Sequence, residues 1–135
     1  MKNIISTIAI VVILLSASLP LSAKNLSTST TTEKITNSRI VENLLVGLKS
    51  HNEGLKLSSL FYLGNYDTEN SVIELMRTLK DDSKEEARIT AALSLFKLGD
   101  ARGIYAVKRA AVYDESARVR KMCDNYYREF ITQKN

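Results

Sequence analysis

Few side chains in this 135-residue chain have the types and spacing that chemistry requires. The one histidine, His51, stands in a turn-like His51-Asn52 step. No serine, cysteine or carboxylate lies around it at the spacing of a catalytic set, so it reads as a surface turn residue. The one cysteine, Cys123, cannot form an intramolecular disulfide. Helical spacing turns it inward, and a small buried apolar role is expected, with a free thiol or an intermolecular bridge as the functional alternative. The chain contains no glycine-rich phosphate loop, no HExxH and no CxxC. Asp81, Asp82, Glu85 and Glu86 form an acidic cluster. Hard cations want several oxygens around one point, but these acids flank a helix start, where capping and the helix dipole account for them. No catalytic group, no cofactor and no bound metal are expected.

The elements that position these residues are helices. The stretch Ser83 to Arg102, SKEEARITAALSLFKLGDAR, shows how they are delimited. Ser83 followed by Glu86 has capping-box spacing. Ala87, Ala91, Ser94, Leu95 and Leu98 then fall on one helical face. Gly99 supplies the left-handed stop and Asp100 the cap of the next helix. The same reading gives six helices, at about Arg39–Lys49, Glu53–Leu63, Thr68–Lys80, Lys84–Leu98, Ala101–Val112 and Glu115–Thr132. The fourth is apolar nearly all round, through Ile89, Ala92, Leu93 and Phe96 as well as its main face, so it is expected to be buried between neighbours. The sixth has an apolar face through Val119, Cys123, Tyr127 and Phe130. Its far side carries Lys121, Asp124, Asn125 and Arg128, as an end cap requires.

The chain is self-similar. Thirty-two positions on, Ala87, Arg88, Ala91, Leu95 and Leu98 become Val119, Arg120, Cys123, Tyr127 and Phe130, and Asp82 becomes Asp114. Thirty-five positions back, Leu95, Phe96, Leu98 and Gly99 become Leu60, Phe61, Leu63 and Gly64. A period in the low thirties marks a repeat array. With Ala87-Arg88, Ala91-Ala92, Ser94-Leu95 and Leu98-Gly99-Asp100, the chain resembles HEAT-like repeats, particularly the short type of the phycobilisome lyases. The resemblance spans about Arg39 to Phe130 and implies an all-α fold, a short right-handed α-solenoid of about three helical hairpins. It implies a structural ladder in which Asp82 with Arg88 and Asp114 with Arg120 join successive pairs. On this reading the ladder is incomplete in the first pair, where Glu53 stands for the arginine. It also implies that the second helix of each pair lines a concave binding face, which makes Lys97, Lys121, Asn125 and Arg128 candidate partner contacts.

Organisation and charge complete the expectations. Lys2, the apolar run Ile4 to Leu15, Pro20 and Leu21-Ser22-Ala23 read as a signal peptide over residues 1–23, cleaved near Ala23, with an uncleaved membrane anchor as the alternative. Residues 24–37 are Ser/Thr-rich and read as a disordered linker, leaving residues 38–135 as the repeat domain. The net charge is +4. From Ala101 onward eight basic side chains stand against four acidic ones, while Lys24 to Asp100 is nearly neutral. The tyrosines cluster late, with Tyr66 and Tyr105 as the ones expected to be exposed. Together these features point to an exported, periplasmic or extracellular, non-catalytic module that binds an as yet unidentified protein partner. The alternative is attachment to anionic envelope polymers or lipid headgroups through the basic third pair. A lyase-related activity is the remaining implication of the resemblance, without a recognisable site to support it. The export signal and the lack of aromatics interleaved with the basic set argue against nucleic acid.

Overall fold

A computed structural model describes residues 26–134 of the chain, and every described element is helical. The helices are α1 (Leu26–Leu48), α2 (Glu53–Leu63), α3 (Glu69–Asp81), α4 (Glu85–Leu98), α5 (Ala101–Tyr113) and α6 (Ala117–Lys134). The expected signal peptide lies outside the described residues. The chain divides into two compact units after Lys34, and the second, Ile35–Asn135, contains the core. Five of the six helices lie within a few residues of their sequence-derived bounds. The exception is α1, which begins at Leu26, so the stretch expected as a linker is helical from there onward. No proline or glycine occurs between Leu26 and Val46, so nothing enforces a break at Arg39. Little is buried along its first described side chains, and Ile35 is exposed.

Local chemistry sets each boundary. Asn52 caps α2 by accepting from the Leu55 N–H, and Thr68 caps α3 by accepting from the Ser71 N–H. Asp100 caps α5 as expected, accepting from the Arg102 and Gly103 N–H groups at 2.9 and 3.2 Å. Gly99 ends α4 with φ 67°, a conformation in which any Cβ would be strained. The capping box expected between Ser83 and Glu86 does not form. Lys84 occupies the cap position without a side-chain cap, because Asp82 takes over that task and Glu86 is drawn to Arg118.

The second unit packs in alternation. α2 packs on α4 and α4 on α6, while α3 packs on α5; α3 and α5 each also pack on α4. α4 therefore has neighbours on all sides, as its all-round apolarity requires. Ala87, Ala91, Ala92 and Leu95 are buried on it, and the small alanines let neighbouring helices approach closely. Leu60, Leu63, Leu75 and Leu95 are fully buried. Each such leucine contributes about 1.5–3 kcal/mol relative to an exposed one. Contact is closest where glycine or serine replaces bulk: Gly64 lies against Ser94, whose hydroxyl donates to the Leu60 carbonyl at 2.7 Å. Cys123 is fully buried, and burial pushes its thiol up to about 12, so it is neutral and packs as a small hydrophobe.

Candidate functional site

The Asp and Arg residues that recur along the sequence meet at the helix junctions. Ser50, Asp82 and Asp114 are spaced by thirty-two residues, as are Asn52, Lys84 and Ser116. In all three places the side-chain oxygen of the first accepts from the backbone N–H of the second, at 3.1, 2.9 and 2.8 Å. Lys56, Arg88 and Arg120 follow at the same interval. Arg88 Nη1 donates to the Asp82 carbonyl at 2.7 Å, and Arg120 Nη1 donates to the Asp114 carbonyl at 2.6 Å. Within a turn the arginine therefore holds the aspartate's backbone, and the carboxylate is left for a cation twenty-six residues earlier.

That carboxylate forms the bridge. Arg88 reaches forward to Asp114 as a fork, with Nε to Oδ2 and Nη2 to Oδ1 both at 3.0 Å. The side chains are 4% and 7% exposed, so both charges are essentially out of water. The bond from Asp114 is the largest influence on Arg88 and holds it charged against the opposing effect of burial. One junction earlier, Lys56 Nζ reaches Asp82 in the same way. Burial pushes the Asp82 carboxyl up, but the bonds from Lys56 and the Lys84 N–H outweigh it and hold it below the ordinary carboxylate range. The first rung is thus present, with Lys56 as its cation. Glu53 is not the substitute for an arginine; it pairs with Lys84 at 3.2 Å. The sequence comparison misplaced this rung because α2 and α4 align at thirty-two residues at their starts and at thirty-five at their ends, α2 being about one turn shorter.

Further pairs cross the junctions at the surface. Arg102 bridges to Glu69 at 2.6 Å and Arg118 to Glu86 at 2.7 Å. These interactions consume the acidic cluster. Asp82 meets Lys56, Glu85 and Glu86 meet Arg118, and Asp81 lies 3.7 Å from Lys80. Among the described residues no group of three or more His, Cys, Asp or Glu side chains is placed to hold a metal ion.

The candidate contact residues occupy two places. Lys97, exposed on α4, donates to Asn65 Oδ1 at 2.8 Å and lies 4.2 Å from the centre of the Phe61 ring. Lys121, Asn125 and Arg128 form one exposed stripe on α6, where Arg128 pairs with Asp124 at 2.9 Å. Among the described residues no hydrogen bond or ion pair joins the two groups. The sequence reading missed the aromatic surface beside Lys97: Phe61 and Tyr62 meet edge to face and are about half exposed, with Leu55 exposed on the same helix. Tyr105 is exposed as expected and Tyr113 more so. Tyr66 is instead half-buried against the core, since the short connection after Gly64 folds it back. A groove of about 330 Å³ runs between α3 and α5. Met76, Leu79, Ala106 and Ala110 form its apolar side, with exposed Lys80 and Arg109 at its edge.

No family model and no curated protein matches the chain.

Proposed function

We propose that this chain is an exported, non-catalytic HEAT-like repeat protein, a short right-handed α-solenoid of three helical pairs that acts as a protein-binding or scaffolding module. The threefold recurrence of the Ser/Asp-turn and Lys/Arg-rung pattern supports the repeat reading, and the leader over residues 1–23 is the basis for export. One observation carries the binding role: Phe61, Tyr62 and Lys97 make an exposed aromatic and cationic patch across α2 and α4, two helices packed directly on each other. Aromatic side chains with a cation beside them are typical of the few residues that dominate protein interfaces. The test is capture from native envelope extract by the tagged chain Lys24 to Asn135, alongside the F61S/K97E double variant. A stoichiometric protein that survives moderate salt and is lost with the variant supports the reading. Equal capture by both chains removes the patch from the interface.

A second reading rests on the α3–α5 groove, where Arg109 is exposed and has no ion-pair partner among the described residues. Anionic envelope polymers or lipid headgroups bound there would be released by salt within the range over which exposed charges are screened. Retention of anionic vesicles that vanishes in R109E and at high salt distinguishes it from the protein-binding reading.

A further inference from the structure

The rungs form a series, and the last of them among the described residues has an open edge. Lys56 is taken up by Asp82 and Arg88 by Asp114. Arg120, next in register, repeats the inner half of the Arg88 arrangement: Nη1 donates to the Asp114 carbonyl at 2.6 Å and to the Glu115 carbonyl at 3.0 Å. The outer half is missing. The Nε and Nη2 edge, which in Arg88 grips both carboxylate oxygens, has no partner among the described residues. The side chain is half-buried and its Nη1 is fixed by two backbone carbonyls, so the unpaired edge is held in place rather than swinging free in solvent.

We propose that the Arg120 edge is a preformed seat for a carboxylate on a partner protein, specifically an aspartate in a turn that follows a helix. Arg88 with Asp114 shows the geometry within this molecule: a fork-to-fork pair with the aspartate at the helix's C-terminal cap and its Oδ1 also accepting from the N–H two residues on. Such an aspartate arrives already oriented, so little freedom is lost on docking. A second copy stacked in register does not fit, because the corresponding position at its start is Ser50, which carries no charge. One turn along α6 from Arg120 stands Asp124, whose carboxylate is already paired with Arg128 at 2.9 Å, so an incoming carboxylate meets no unpaired acid on that turn. The occupant's being a protein rests on the binding-module reading, whereas the carboxylate seat stands apart from it and is tested without a partner.

The experiment is NMR of the arginine Nε–H signals in the mature chain, titrated with acetate and then with the hexapeptide Leu-Lys-Asp-Asp-Ser-Lys, which copies Leu79–Lys84. The expected result is saturable movement of the Arg120 signal, no movement of Arg88, and only weak, non-saturating movement of exposed Arg109. The peptide is expected to bind at least about tenfold tighter than acetate, and its counterpart with asparagine at the position of Asp82 to lose that gain. R120K keeps a positive charge but loses the fork, and is expected to weaken binding about tenfold. Equal movement of Arg109 and Arg120 would overturn the seat. Saturable acetate binding without preference for the peptide would keep the carboxylate seat and overturn its assignment to a protein turn.

Discussion

The junction built on Lys56 and Asp82 and the junction built on Arg88 and Asp114 have the same register, and each joins residues twenty-six apart. They differ in the cation and in the water around it. Lys56 makes a single-point contact and its side chain is 26% exposed. Arg88 makes a fork and is 4% exposed. A lysine ammonium loses little when its partner goes, because water can reach it. A buried guanidinium cannot be rehydrated, and removing its carboxylate strands a charge in the core. One sequence pattern therefore yields a soft junction at α2 and a hard one toward α6.

The contrast is broken most severely by D114A. It leaves Arg88 buried with only the exposed Glu115, 3.4 Å from Nη2, as an ion-pair partner, and is expected to cost about 3–5 kcal/mol in urea unfolding. Next is G64A. The added methyl would lie 2.9 Å from the Ser94 Cα, a backbone atom that cannot move aside, and the expected loss is about 1–3 kcal/mol. At the soft junction, D82N is expected to cost only about 1 kcal/mol after solvent screening. Its sign with pH is fixed. The folded Asp82 carboxyl sits below its ordinary value, so its stabilisation is complete above about pH 3.9 and fades as pH falls through the lower folded value. D82N should therefore flatten the acid limb of the stability profile in that window while leaving its neutral-pH shape unchanged. The smallest effect belongs to R118A. Its bond holds the Glu86 carboxyl low, but both side chains are more than half exposed, and no measurable shift in the urea midpoint is expected.

Much of this fold was legible because helix signals here are local. Gly99 and Asp100 state a stop and a start in two adjacent residues, and the all-round apolarity of α4 states its burial. The rungs were only half legible. Asp82 with Arg88 and Asp114 with Arg120 were visible as short-range pairs, but each arginine binds that aspartate's backbone, and the charge pairing of Arg88 runs on to Asp114. Lys56 was missed because it differs in type from Arg88 and because the shorter α2 shifts the apparent period. Ser83 misled for a comparable reason: its spacing to Glu86 suits a cap, but long-range pairing with Arg118 takes that glutamate away. The helical start of α1 had no apolar periodicity to reveal it. The Phe61–Lys97 patch depends on two helices meeting, which spacing within either helix does not encode.

The most direct measurement is a pair of double-mutant cycles by urea unfolding, one on Arg88 and Asp114 and one on Lys56 and Asp82, with each residue replaced singly and together. The expected coupling is about 2–3 kcal/mol for the arginine rung and below about 1 kcal/mol for the lysine rung. Equal couplings, or a larger one at Lys56, would contradict a hard junction beside a soft one.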